Sequence, residues 1–161
     1  MKNKLIQAFT LLASGLLAGV FYYGTFTVVP AFYDVPIDVH LKFRVALMSH
    51  NAVYVQFLTV IAILAPLWLA FVNQKSRLIR NYALLAALTA LISILITRFG
   101  NVPVNQLMAA WEKSKAPANW REILDRWNMF NGIRTVFALA SFLLVIIASQ
   151  VRPSAEKTII L

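Results

Sequence analysis

The sequence predicts an all-α integral membrane protein: a bundle of four transmembrane helices with a short extra helix in the outer connection between helices three and four. Three observations carry that prediction. Hydrophobic residues make up 60% of the 161-residue chain and charged residues only 13%, against about 45–50% and about 25% in a water-soluble domain. The apolar residues gather in four runs close to the length, about 20 residues, that crosses roughly 30 Å of hydrocarbon. No heptad array, low-complexity tract or solenoid-type repeat interrupts them. A soluble globular domain and a disordered chain are both excluded.

The formal net charge of +9 comes from 15 Lys and Arg against 6 Asp and Glu. These cations are scattered over connections and helix ends, a membrane pattern rather than a nucleic-acid-binding face. There is no cysteine, which rules out disulfides, iron–sulfur clusters, thiolate nucleophiles and lipoprotein acylation.

Residues 1–161 read as a single transmembrane domain with spans at about 5–29, 53–72, 82–98 and 133–151. The first follows Met1-Lys-Asn-Lys4, but its apolar run exceeds the about 7–15 residues of a signal-peptide core, so it is read as a retained helix. Gly15 and Gly19, with Ser14 and Ala18 beside them, give it a small-residue face for close packing. The third span is expected to end where Gly100 and Pro103 interrupt it. Leu107, Met108 and Trp111 then fall at helical spacing behind Pro103, which predicts a short interfacial helix within 104–115. Asn119 followed by Glu122 has the pattern of a capping box. From there the periodicity runs through Trp127 and Arg134 into the last span, so the fourth helix is long, with a weak point at Gly132.

Counting cations on each side gives an orientation. Lys2, Lys4, Lys75, Arg77, Arg80, Arg152 and Lys157 lie in three short segments with only Glu156 to offset them. On the other side Lys42, Arg44, Arg98, Lys113, Lys115, Arg121 and Arg126 are spread over two longer connections with Asp34, Asp38, Glu112, Glu122 and Asp125. Both termini are therefore expected to be cytoplasmic, in a bacterial inner membrane.

A polar side chain within a bilayer is costly unless it finds a partner, so its position is informative. The inner halves of the spans are nearly featureless. The outer ends hold Tyr22 and Tyr23, His50 and Asn51, Thr97 and Arg98, and the segment Trp127 to Thr135. Thr89, Ser93 and Thr97 recur every four residues and point on toward Asn101 and Asn105, while Trp127, Asn131, Arg134, Ala138 and Ser141 form a second stripe. Simpler readings stand beside the functional one. The Thr89 stripe serves interhelical hydrogen bonding, Tyr22, Tyr23, Trp111 and Trp120 form an interfacial aromatic belt, and Arg98 snorkels. His40 and His50 lack companions at metal-ligand spacing, so metal or haem is the weakest reading. Arg134 is harder to dismiss. It begins an apolar span in which no acidic residue occurs, so its partner is an outer-loop carboxylate, an amide such as Asn131, Asn101 or Asn105, or a bound anion.

The run Asn101-Val-Pro-Val-Asn105, then Trp111, Trp120 and Trp127-Asn-Met-Phe-Asn131-Gly-Ile-Arg134-Thr135 leading into an apolar helix, resembles the anthrone oxygenase-like membrane family. That family is largely a domain of unknown function with four spans, found in bacteria and fungi. Val28-Val-Pro-Ala31 after the first span is similar to it as well. Phe130 stands where the family often carries Trp. The resemblance implies the four-span fold and, from fungal members, oxidation of an anthrone to an anthraquinone; most bacterial members have no assigned substrate.

An anthrone enolate can pass an electron to dioxygen itself, so such a reaction needs a protein to bind the ring, stabilise the anion and exclude water, without a metal or other cofactor. Arg134, Asn131 and His50 are the candidate catalytic residues: Arg134 for the enolate, Asn131 as a hydrogen-bond donor to quinone or phenol oxygens, and His50 as the only plausible neutral-pH base. Trp120, Trp127, Phe130 and Tyr22 are candidate stacking surfaces, and Asn101 and Asn105 candidate donors to quinone or phenol oxygens. The expected partners are a hydrophobic aromatic small molecule and the lipid bilayer, with no nucleic acid; a homo-oligomer is compatible with the sequence. A non-catalytic membrane protein, binding or transporting a small molecule or serving as an accessory subunit, is the alternative.

Overall fold

A computed structural model describes residues 2–151; Arg152, Glu156 and Lys157, used above for orientation, lie outside them. The first span comprises α1 (Lys2–Tyr23), a π-helical turn (Gly24–Val28) and α2 (Val29–Tyr33). The second is α3 (Ile37–Val72), and the third comprises α4 (Arg77–Ile96), a π-helical turn (Thr97–Asn101) and α5 (Val102–Glu112). The fourth is α6 (Trp120–Gln150). Among the described residues, four helices are long and apolar enough to cross a membrane. They run antiparallel, each packed against its neighbours in chain order, with the first against the fourth closing the ring.

Small residues draw the helices together. Ala83, Ala86, Ala87 and Ala90 of α4 are buried, as are Ala138, Ser141 and Ala148 of α6. This lets the two backbones approach closely, in a setting where lipid offers no hydrophobic drive toward association. Serine hydroxyls join the two helices: Ser93 donates to the Arg134 carbonyl at 3.0 Å and Ser141 to the Ala86 carbonyl at 2.9 Å. Of the Thr89 stripe, Ser93 makes such an interhelical bond, while Thr89 and Thr97 donate to carbonyls of their own helix. A Cβ at Gly15 would sit 3.1 Å from the Phe142 ring, so that position is a packing contact; Gly19 faces open space.

The second helix starts at Ile37, sixteen residues before the apolar span begins. Hydropathy misses this stretch because Asp38, His40, Lys42, Arg44 and Ser49 dilute it. Pro36 precedes the first turn, Asp38 lies within it, and no breaker follows until Pro66. Likewise the third span does not stop at Gly100 and Pro103. It continues through the π turn into α5, so the segment expected as a separate interfacial helix extends the third helix instead. The fourth helix runs unbroken through Gly132. Asn119 occupies its N-cap without a side-chain capping bond; backbone bonds from Trp120 to Pro117 and from Ile123 to Asn119 start the helix instead.

Both π turns stand directly before a Val-Pro pair. Val29 N–H bonds the Gly24 carbonyl and Val102 N–H the Thr97 carbonyl, each five residues back, and Pro30 and Pro103 follow. A proline in a regular helix has no N–H and its ring collides with the carbonyl four residues back; a wide turn just before it moves that carbonyl aside. The wide turn also corrects drift. Four residues advance about 40° beyond one α-helical turn, so three such steps from Ser93 to Asn105 would swing the stripe by about 120°, and one inserted residue takes back about 100°.

Helices of 31 to 36 residues are roughly 45–55 Å long, well beyond about 30 Å of hydrocarbon. The excess lies at the end opposite the termini, here called the distal end. There Leu41, Val104, Met108, Leu124 and Trp127 form a second core above the aliphatic one, and Asp38, Lys42, Glu112, Arg121, Glu122, Asp125 and Arg126 are exposed around it.

Candidate functional site

Where the two cores meet, a cavity of about 210 Å³ opens between the helices. Its apolar walls include Phe21, Val29, Phe32, Met48 and Trp127, and its polar lining includes Arg44, Thr97, Asn105, Asn131 and Arg134. Asn51 and Gln56, exposed on α3, also line it and mark a side open to the surroundings.

Arg134 is held by protein amide and hydroxyl groups. Its Nε and Nη2 donate to Asn131 Oδ1 at 3.0 and 2.7 Å, and Nη1 donates to Thr97 Oγ1 at 3.2 Å. The guanidinium carbon lies 4.4 Å from the centre of the Phe21 ring and 5.6 Å from that of Trp127. Because Asn131 Oδ1 receives both arginine donors, its amide nitrogen is turned to Thr25 Oγ1 at 2.8 Å. Thr25 and Thr135 hydroxyls meet at 2.8 Å, and Thr135 donates to the Asn131 carbonyl at 2.7 Å. The chain is directional: Asn131 gives to Thr25, Thr25 to Thr135, and Thr135 back to the backbone. It fixes the amide that fixes the arginine.

Trp127 Nε1 donates to Asn105 Oδ1 at 2.7 Å, and its backbone carbonyl accepts from Asn101 Nδ2 at 3.0 Å. Asn101, Asn105, Trp127, Asn131 and Arg134 are therefore brought together at the distal end. Of these, Asn101 is fully buried behind the tryptophan and does not line the cavity, since its amide holds the indole's helix in place.

The remaining candidates stand apart. His50 is exposed on α3 and its Nδ1 bonds the Ala46 carbonyl of its own helix at 2.9 Å; one residue along, Asn51 faces the cavity, and a helical step of about 100° turns His50 away. Tyr22 is 53% exposed with its ring 4.8 Å from Phe26, on the outer face of the first span. Trp120 packs in the distal core, 6.4 Å from the His40 ring. Phe130 covers Gly100 rather than the cavity. A Cβ at Gly100 would collide with Phe130 Cγ, so Gly100→Ala is expected to destabilise the protein by about 1–3 kcal/mol through overpacking. A melting series in detergent checks this: Gly100→Ala and Phe130→Ala together should cost less than the sum of the two single losses, and a melting point unchanged in Gly100→Ala alone would refute the contact.

Arg44 escapes sequence reading because it sits among charges of an apparent loop. It is 2% exposed. Its Nη1 donates to His40 Nε2 at 3.1 Å, and its guanidinium carbon lies 4.0 Å from the Trp127 ring centre and 5.5 Å from that of Phe32. The signal available in sequence was spacing: His40 and Arg44 are four apart, with Leu41, Val45 and Met48 on the same helical face. Neither Arg44 nor Arg134 pairs with a carboxylate among the described residues.

These features define a class: an α-helical membrane protein with a distal cavity faced by aromatic rings and two arginines. The chain belongs to the anthrone oxygenase family, whose sequence model matches residues 43–144. The matched region holds Arg44, Asn105, Trp127, Asn131 and Arg134. No curated protein and no solved structure matches the chain.

Proposed function

We propose that the cavity binds an electron-rich, flat aromatic such as an anthrone as its enolate, and that the protein promotes oxidation of that enolate by dioxygen. The observation that carries this reading is Arg134, fixed by Asn131 and Thr97 beside Phe21 and Trp127, facing a cavity with no carboxylate to neutralise it. A preorganised cation stabilises developing negative charge without reorganising at the moment of reaction. Aromatic walls add stacking surface for the ring system.

In this reaction the ring CH₂ loses a proton to water at the open side of the cavity, near Asn51 and Gln56. The enolate, its oxygen beside Arg134, gives up electrons to dioxygen, and the carbon–oxygen bond forms a hydroperoxide. Loss of water then leaves a carbonyl, so one dioxygen is consumed and one water released per quinone formed. His50 has no part in this scheme. The test is aerobic incubation of the purified protein with an anthrone, following quinone absorbance and oxygen uptake. A rate no faster than without protein removes the oxygenase reading, and binding without turnover would leave a small-molecule binding protein.

The same proposal places both termini in the cytoplasm, because the basic segments Lys2 to Lys4 and Lys75 to Arg80 share one end of the bundle. With no native cysteine, single Ser76→Cys and Lys113→Cys variants report sidedness directly. Ser76→Cys is expected to label only from the cytoplasmic side and Lys113→Cys only from the opposite side; labelling of both from one side contradicts the arrangement.

A further inference from the structure

The geometry points to a second anion position in the same cavity: we infer that the ligand carries, besides the enolate oxygen beside Arg134, another ionised oxygen, a carboxylate or acidic phenol, recognised by Arg44. This rests on the proposed reading of the cavity and narrows its substrate class to aromatic acids that bear two negative charges when bound.

Arg44 is buried as deeply as the aliphatic core, yet the protein supplies its guanidinium with little. Its Nη1 meets His40 Nε2, the neutral Tyr33 hydroxyl stands beside the guanidinium, and Nη2 has no hydrogen-bond partner. Arginine offers no acceptor of its own, so His40 must present a lone pair at Nε2 and carry its proton on Nδ1. His40 is thus neutral and contributes no compensating charge. The Trp127 and Phe32 faces attract a cation but do not neutralise it.

Arg134 makes the imbalance larger. Both guanidiniums lie over Trp127, at 4.0 and 5.6 Å from its ring centre, so they are no further apart than those two distances laid end to end. Two like charges facing one cavity, with no carboxylate among the described residues paired to either, leave a positive site that an anionic ligand would balance. A single enolate balances one. The second calls for another anionic oxygen on the same molecule, and the cavity both arginines line is where it would lie.

The experiment compares two probes, anthraquinone and anthraquinone-2-carboxylate, titrated against the full chain in lipid nanodiscs with empty nanodiscs as the blank. A charge-assisted contact predicts that the carboxylate binds at least about tenfold tighter than the neutral quinone. Arg44→Gln should erase that preference, read as the ratio of the two affinities within the variant, and Arg44→Lys should retain part of it. Equal affinities in the unmodified protein, or a preference undiminished in Arg44→Gln, would overturn the inference and leave the aromatic site standing. If neither probe binds, the aromatic-site reading falls and the inference with it. If Arg44→Gln does not fold, Arg134→Gln decides: a preference kept there assigns the carboxylate to Arg44, and one lost there overturns the inference, because Arg134 alone then accounts for it.

Discussion

Replacing Arg134 by glutamine is expected to slow aerobic turnover of an anthrone by about 100- to 1,000-fold, the range associated with removing one preorganised donor to a developing oxyanion. Glutamine keeps a polar tip and much of the aliphatic stem, so the packing against Phe21 survives in part while the charge is lost. The inner helix contacts at Ser141 and Ala138 lie below the cavity and do not involve the side chain. Melting should therefore move little compared with turnover. The enolate form of the substrate should also bind more weakly than the neutral quinone product does. A variant that turns over normally would remove Arg134 from the reaction.

Asn131→Asp is the second large effect, and it differs in kind because almost no atoms move. The substitution exchanges an amide nitrogen for oxygen and gives Arg134 a carboxylate at the position where Nε and Nη2 already donate. An internal anion then occupies the cation that the ligand needs. Anion binding and turnover are expected to fall by about 10- to 100-fold, in line with about 1.5–3 kcal/mol for a charge-assisted hydrogen bond. The donor to Thr25 is lost, but the Thr25 hydroxyl can rotate and donate to the new carboxylate. The fold should persist, and with the buried cation now paired, melting should hold or rise. Asn131→Ala separates the two causes: it frees Arg134 rather than neutralising it, so its anion binding should exceed that of Asn131→Asp. The reverse order would show that Asn131 acts through something other than Arg134.

How far the sequence leads can be judged at particular residues. Ser93 with Thr97 and Asn131 with Arg134 were legible because residues three or four apart share a helical face, while Asn101 and Asn105 stay on that face through the π turn that takes back the drift. Their convergence followed from chain connectivity, since the third and fourth spans share a connection at the distal end. His50 illustrates the limit. A base at the right depth looks suitable in sequence, yet depth says nothing about direction, and one residue separates Asn51 at the cavity from His50 on the outside. Phe130 was read as a pocket wall and instead fills the notch left by Gly100, a fit that depends on the distance between two helices.

The sequence by itself determined that this chain is helical, apolar and four times long enough to cross a bilayer, because composition and period act within single segments. It also determined that an arginine opens an apolar span with no acidic residue inside any span to meet it. Only the tertiary structure decided that α3 begins at Ile37 and carries Arg44 inward, that two π turns let Val-Pro pairs pass without breaking the helices, and that both arginines flank one tryptophan. Those outcomes depend on which faces meet across the bundle. Residues far apart in the chain set the environment of each charge, and local pattern cannot record that.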